Sequence, residues 1–340
     1  MDKSYRVAVV GATGLVGREM IASLEERNFP IEELVLLASE RSAGEEIEFR
    51  GKMHKVQAIA MDHFAHVDIA LMSAGGSVSE EWAPIATSQG AVVIDNSSKW
   101  RMDPDVPLIV PEVNPEDLGS YKTKGIIANP NCSTIQMVVA LAPLHAQAGL
   151  RRVVVSTYQA VSGAGRNGME ELSTQVTDLF NQRDVVCDVF ASRIAFNCIP
   201  QIDTFMESGF TKEEEKMIYE TRKIMHLPDL GVCPTCVRVP IFNGHSESIS
   251  AEFEKPISVT QAQEALTKAP GVLVIDDPES NSFPTALSAE GNDATYLGRI
   301  RQDNSVDNGL SFWCVADNLR KGAATNAIQI AELLIRDHLN

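Results

Sequence analysis

The sequence predicts an α/β protein in two parts, on three observations. A short β-branched run, Val7-Ala-Val-Val10, passes at once into Gly11-Ala-Thr-Gly14-Leu-Val-Gly17 and then a helical apolar pattern (Met20, Ile21, Leu24). Compact apolar runs recur at Leu34-Val-Leu-Leu-Ala38, Ile69-Ala-Leu-Met72 and Val92-Val-Ile94, as strands of a parallel sheet buried on both faces do. At 340 residues the chain is long enough for two domains. Together these predict a Rossmann-like dinucleotide-binding domain over residues 1–130. A second, α+β domain built on a mixed sheet follows over residues 131–320.

In the first domain the strand, glycine turn and helix carry the argument. Glycines allow the tight turn and let a phosphate approach the helix N-terminus. The spacing is G-x-x-G-x-x-G rather than the commoner G-x-G-x-x-G, so the strand before it and the helix after it are part of the signal. Gly11 and Gly14 are the glycines expected at the cofactor here. The second strand ends at Ser39-Glu40-Arg41-Ser42, where an adenine ribose would lie. Glu40 would suit a ribose 2′-hydroxyl, as in NAD; Arg41 between serines suits the 2′-phosphate of NADP, with a guanidinium and two hydroxyl donors. The arginine favours NADP(H), against the plainer reading of a solvated loop. The third and fourth strands end in small polar residues, Ser73-Ala-Gly-Gly-Ser77 and Asp95-Asn-Ser-Ser98. Ligands of open parallel sheets sit at those carboxyl ends, which brings in Ser73. Arg101 is a cation on the same rim or one half of a surface ion pair.

Composition narrows the function. Twenty-nine basic against 46 acidic residues give a net charge of −17, which disfavours nucleic acid and anionic membranes as partners. The N-terminus lacks the apolar core of a secretion signal, and no apolar run approaches the ~18 residues of a membrane span, so a cytoplasmic protein is expected. Cysteines at 132, 187, 198, 233, 236 and 314 do not form a disulfide framework. Cys233-Pro-Thr-Cys236 has metal-ligand spacing, but no second pair or histidine pair follows, and no metal is expected.

Cys132 is the most informative single residue. The strand-like Gly125-Ile-Ile-Ala128 stops at Pro130, and an apolar-periodic segment (Ile135, Val138, Val139, Ala142) begins just after the cysteine. That places a thiol at a helix N-terminus, where unpaired N–H groups and the helix dipole favour thiolate. Beyond it, Arg152-Val-Val-Val-Ser-Thr-Tyr158 reads as a strand and leads to a polar, glycine-rich loop through Gly165. Thr211 and Glu214 fit a capping box opening an amphipathic helix, on which Glu213 and Lys216 share a face. Arg238 and His245 flank an Asn-Gly turn. In a simple hairpin about five extended residues, roughly 16 Å, would separate them from a shared ligand, unless Pro240 bends the strand or Arg238 reaches inward.

Taken in order, Gly11-Ala-Thr-Gly-Leu-Val-Gly17, Ser-Ser-x-x-Arg101, Asn-Pro-Asn-Cys132-Ser-Thr, Tyr158-Gln159-Ala-Val-Ser-Gly163, the Glu213/Lys216 helix, the Arg238–His245 spacing and Asp317-Asn318-Leu-Arg-Lys-Gly-Ala-Ala resemble the aspartate-semialdehyde dehydrogenase family over essentially the whole chain. The resemblance implies NADPH-dependent reduction of L-aspartyl 4-phosphate to L-aspartate 4-semialdehyde and phosphate, at the entry to lysine, threonine and methionine synthesis. It implies Cys132 as nucleophile, His245 as acid/base and Gln159 against the acyl group. Arg238 is then expected on the α-carboxylate and Glu213 on the α-ammonium, with Arg101, Asn131 and Lys216 on the phosphate. Ser162, Gly163 and Asn318 join Thr13 to Val16, Arg41 and Ser42 on the cofactor. The C-terminal helix, 321–340, is expected to complete the first domain, and the second to be catalytic and dimerising. Apolar sheet surfaces there imply at least a homodimer, with a tetramer left open. Related reductases of N-acetyl-glutamyl phosphate or malonyl-CoA share this chemistry; an acetylated amine or a CoA thioester offers Glu213 no ammonium. A non-catalytic dinucleotide-binding relative is a third reading, and it would be free to lose Cys132, Gln159, Arg238 and His245.

Overall fold

Six parallel strands form the sheet of one unit, and six mixed strands that of the other. The computed structural model describes residues 3–339, and the chain divides into residues 1–131 with 323–340, and residues 132–322.

In the first unit β1 (Tyr5–Val10), α1 (Leu15–Glu26) and β2 (Ile31–Ala38) open the chain. A hairpin of β3 (Glu46–Phe49) and β4 (Lys52–Lys55) follows, then β5 (Gln57–Ala58), β6 (Ile69–Met72), α2 (Gly76–Ser88), β7 (Val92–Asp95) and β8 (Ile126–Ala128). The sheet order is β5-β2-β1-β6-β7-β8, parallel throughout. Val7, Ala8 and Val9 are fully buried, as a central strand covered on both faces requires. Chain order runs outward from β1 in both directions, so a crevice opens beyond the carboxyl ends of β1, β2 and β6. β2 starts three residues before its apolar run, because its pairing with β1 extends past the exposed Glu32 and Glu33.

The C-terminal helix (Thr325–Asp337) belongs to this unit. Its Ile328, Ala331 and Leu334 join Val7, Val9 and Leu24 in one apolar core. Asn326 Nδ2 donates to Ile109 O and Asn129 Oδ1, at 3.0 and 2.7 Å, and Arg27 makes a two-pronged bond to Glu332.

The second unit begins with α3 (Cys132–Ala148), β9 (Leu150–Gln159), α4 (Gly165–Phe180), α5 (Lys212–Ile224), β10 (Gly231–Arg238) and β11 (His245–Phe253). It ends with α6 (Val259–Lys268), β12 (Val272–Val274), α7 (Ala286–Ala289), β13 (Thr295–Asp303) and β14 (Gly309–Ala316). The order is β10-β9-β11-β14-β13-β12, with parallel pairs at both edges and antiparallel pairs between. α3 is buried nearly all round and lies against β9, β11 and β14.

One local expectation changes. β10 and β11 are not a hairpin: β9 lies between them, and the segment from Val239 to Gly244 crosses over its end. Cys233 and Cys236 stand three apart on β10, so their side chains leave opposite faces, one exposed and one buried. The six cysteines form no disulfide. Among the described residues no helix is long and apolar enough to cross a membrane.

Candidate active site

β9 ends at Gln159, β10 ends at Arg238 and β11 begins at His245, all at one edge of the sheet. Gln159 pairs with Arg238 in the parallel register, and Tyr158 pairs with Ser246 in the antiparallel one. Arg238, Gln159 and His245 therefore stand side by side on three adjacent strands. The crossover removes the separation that a hairpin would have imposed. Cys132 is the first residue of α3, and Gln136, one turn along on the same face, donates to the His245 carbonyl at 3.3 Å.

The three side chains are buried, at 1% exposure for Gln159, 6% for Arg238 and none for His245. Each is held. Gln159 Oε1 accepts from Thr157 Oγ1 at 3.0 Å, and its Nε2 donates to Glu213 Oε1 at 3.1 Å. Arg238 Nη1 donates to Ala160 O at 2.7 Å, and the Ala160 N–H donates to His245 Nδ1 at 3.1 Å. Both heads turn toward Gly163, where a Cβ would lie 2.8 Å from Arg238 Nη1 and 3.4 Å from His245 Nε2. Gly322 similarly backs Cys132, where a Cβ would come within 2.8 Å of the cysteine Cβ.

α5 brings in the next residues. Its capping box forms as the sequence implies, with Glu214 bonded to the Thr211 N–H and also to the N–H of Cys236. Glu213 is thereby left as the glutamate facing Gln159, while Glu215 bonds Ser208 outside. Lys216 lies between Glu213 and Asp203, at 3.0 and 3.1 Å. Burial works against its charge, but the two carboxylates outweigh it and hold the ammonium above the ordinary lysine range. Burial draws the Arg238 guanidinium below its usual range, against the pull of Glu213 and Cys132. Burial, then the Arg238 cation, pushes His245 down to about 3. Asn318 takes the Gly244 N–H on Oδ1 at 2.9 Å and donates Nδ2 to Ser162 Oγ at 2.9 Å, immediately before His245 in the chain.

In the first unit Gly11, Thr13, Gly14, Ser39 and Ser73 line one cavity of about 370 Å³ at the carboxyl ends of β1, β2 and β6. Gly11 takes the left-handed conformation at φ +84, which admits glycine most readily. At Gly17 a Cβ would come within 2.1 Å of Gly11 O, so α1 meets the turn without a side chain between. Leu15 and Val16 open α1, where the backbone N–H groups have no helical acceptor. A dinucleotide diphosphate fits this donor set. Arg41 and Ser42 form a turn just beyond Ser39, with Arg41 and Glu40 both exposed. Arg101 is no surface side chain: it is 7% exposed, and donates to Asn129 O and Asn96 O, both at 2.9 Å. Asn131 is buried too.

Sequence reasoning passed over Ala160, Gly322 and Gln136, and the cavity walls Ile59 and Trp82. The first two act through backbone or through a missing side chain and leave no chemical signature. Gln136 was discoverable, as a polar residue four after Cys132 in an apolar helix.

Comparison with known proteins agrees with this layout. Residues 6–121 match a family described as semialdehyde dehydrogenase, NAD binding domain, and residues 141–321 one described as semialdehyde dehydrogenase, dimerisation domain. The chain is 60% identical to the aspartate-semialdehyde dehydrogenase of Aquifex aeolicus, over 98% of this chain and 99% of that one. A crystal structure of aspartate semialdehyde dehydrogenase II from Vibrio cholerae, complexed with ASA, superposes with a TM-score of 0.97 at 50% identity, over 99% of this chain and 100% of that one. One from Candida albicans with NADP gives 0.76 at 26% identity, over 99% and 100%. The chain belongs to the aspartate-semialdehyde dehydrogenase family of oxidoreductases.

Proposed function

We propose that the chain reduces L-aspartyl 4-phosphate to L-aspartate 4-semialdehyde and phosphate with NADPH, through a thioester on Cys132. The observation that carries this is the meeting of Arg238, Gln159 and His245 at one sheet edge, with Gln136 tying that edge to the helix that Cys132 opens.

Cys132 attacks the acyl carbon, and phosphate leaves as the acyl group passes to sulfur. A thioester accepts hydride where a carboxylate does not. Arg238 offers a planar two-donor grip to the α-carboxylate, and Glu213 a carboxylate to the α-ammonium. Gln159, fixed at both ends of its amide, lies against the acyl group. Arg101, Asn131 and Lys216 receive the phosphate and balance its charge.

NADPH bound by this chain supplies the hydride. Gly11, Thr13, Gly14, Leu15, Val16 and Ser73 would hold its diphosphate, Ser39, Arg41 and Ser42 its ribose phosphate, and Ser162, Gly163 and Asn318 its nicotinamide end. The Arg41 guanidinium, solvent-facing beside two serines, supports NADP over NAD. On this reading the protein stands at the entry to lysine, threonine and methionine synthesis, and works in the cytoplasm as a homodimer or tetramer.

The test is NADP reduction by L-aspartate semialdehyde beside N-acetylglutamate semialdehyde and malonate semialdehyde, with and without phosphate. Activity with the first alone, and only with phosphate or arsenate, is the expected result. Activity with another aldehyde reassigns the pocket, and silence with all three, while NADP still binds, favours a non-catalytic relative.

A further inference from the structure

β7 ends at Asp95 and β8 at Ala128, paired with each other, and one residue further along each strand stands an asparagine, Asn96 and Asn129. The Asn129 N–H continues the ladder to Asp95 O at 2.8 Å. The backbone carbonyls of these two asparagines hold Arg101, whose Nε donates to Asn129 O and Nη2 to Asn96 O, both at 2.9 Å. Their side chains are bonded to each other as well, Asn129 Nδ2 donating to Asn96 Oδ1 at 2.7 Å. The spacing of the two carbonyls, and with it the plane and direction of the guanidinium, is therefore tied to one side-chain bond.

Backbone groups fix how each amide is turned. Asn129 Nδ2 also meets Ala323 O, at 3.1 Å, and a carbonyl can only accept, so the nitrogen lies on that side. Asn129 Oδ1 then faces Asn326 Nδ2 at 2.7 Å, and the turn of that second amide is set by Ile109 O at 3.0 Å. Asn129 and Asn326 are fully buried, where an amide is costly unless its donors and acceptor are met. Asn326 is the second residue of the C-terminal helix. Two neutral carbonyls hold the guanidinium without cancelling its charge. Asp95, the carboxylate that senses Arg101, is taken up by the Ser97 N–H and hydroxyl.

We propose that Asn129 is a positioning residue for anion binding: with Asn96 it sets the two carbonyls that aim Arg101 at the leaving phosphate, and Asn326 holds it from the last helix. This deepens the function proposed above and rests on it for the identity of the anion. A guanidinium grips a phosphate by two parallel N–H bonds, so its worth depends on direction as well as charge. A head that swings still supplies charge but loses the second bond.

Asn129→Ala deletes three buried bonds at once and tests the fold as much as the site. Asn96→Ala is the milder variant, because Asn96 is half-buried and alanine keeps the backbone carbonyl. KM is measured for phosphate, L-aspartate semialdehyde and NADP in the oxidative direction. Asn96→Ala is expected to raise the phosphate KM about tenfold, the worth of one bond to a charged group, and to leave the other two within about twofold. Asn326→Ala, one bond further out, is expected to raise it about threefold. Equal rises in all three constants overturn the proposal, as does a phosphate KM that these variants leave unchanged while Arg101→Lys raises it.

The second readout needs no substrate. In ¹⁵N NMR of the arginine-labelled protein, with Arg101→Lys identifying the resonance, the Arg101 Nε–H should exchange with solvent at least about tenfold faster in Asn96→Ala than in wild type. Equal exchange overturns the proposal. A phosphate KM unmoved by Arg101→Lys would count against the phosphate assignment alone, and the exchange comparison would still decide the positioning.

Discussion

Arg238 and His245 are fixed by the two ends of one residue: the Ala160 carbonyl accepts from Arg238 Nη1 at 2.7 Å, and the Ala160 N–H donates to His245 Nδ1 at 3.1 Å. The spacing between the guanidinium and the imidazole is therefore set by backbone. Both bonds are made by the Ala160 peptide groups and not by its side chain, so the neighbour whose side chain matters is the residue whose missing side chain leaves room for both heads.

That residue is Gly163. Its backbone is outside the left-handed region, so alanine meets a problem of space alone. The new methyl would lie 2.8 Å from Arg238 Nη1, a head already tied to Ala160, and 3.4 Å from the imidazole. Gly163→Ala is expected to raise KM for L-aspartate semialdehyde by about 10–100-fold, the worth of one charged hydrogen bond. Steady-state kinetics beside a melting curve checks this, with Tm expected to stay within a few degrees. An unchanged KM means that the Arg238 head does not serve the substrate.

Arg41 makes the cofactor prediction. It is exposed and lies two residues beyond Ser39, which lines the cavity at the end of β2. Arg41→Ala is expected to raise KM for NADP by about tenfold or more and leave that for NAD nearly unchanged, because only NADP carries the 2′-phosphate that a guanidinium grips. Equal effects on the two would move ribose recognition to Glu40.

Much of this could be read before the fold was known, and the remainder has identifiable causes. The glycine turn, the strand before it and the thiol after Pro130 are local signals, visible because each needs particular residues in sequence. Glu213 had two neighbouring glutamates as rivals, and the capping box decided among them by engaging Glu214. The Arg238–His245 distance stayed open because a hairpin is the default for two strands joined by an Asn-Gly turn. Only the sheet order, with β9 inserted, shows that the two residues face one space. Ala160 and Gly322 contribute a peptide group and an absence, which no residue pattern announces.

The Thr211 capping box links stability to the same site. Thr211 Oγ1 accepts the Glu214 N–H, and Glu214 also holds the Cys236 N–H on β10, two residues before Arg238. Thr211→Ala is expected to cost about 1 kcal/mol, the usual loss for an N-cap. Chemical denaturation measures it, and a variant as stable as wild type would mean that the Glu214 bonds hold the helix start unaided.

The pH dependence of stability follows from two buried groups with opposite signs. His245 is held neutral down to about 3 by burial and then by Arg238, while an unfolded histidine protonates near its ordinary 6.5. The unfolded chain therefore binds a proton first as pH falls below 6.5, and the fold loses stability from there toward 3. Glu247 is fully buried, and burial pushes its carboxyl well above the ordinary range against the smaller pull of Gln136. Here the folded state keeps a proton that the unfolded chain releases above 4.5. Stability is lost as pH rises, by about 1.4 kcal/mol for each unit until the folded group itself ionises. Glu247→Gln keeps the shape and removes the titration. Its Tm is expected to match wild type near pH 4.5 and to exceed it increasingly toward pH 8, by several degrees for a domain of this size. Melting curves of the two proteins across that range decide the matter: parallel curves would mean that Glu247 ionises in the fold without penalty, and that the sheet beneath His245 tolerates a charge.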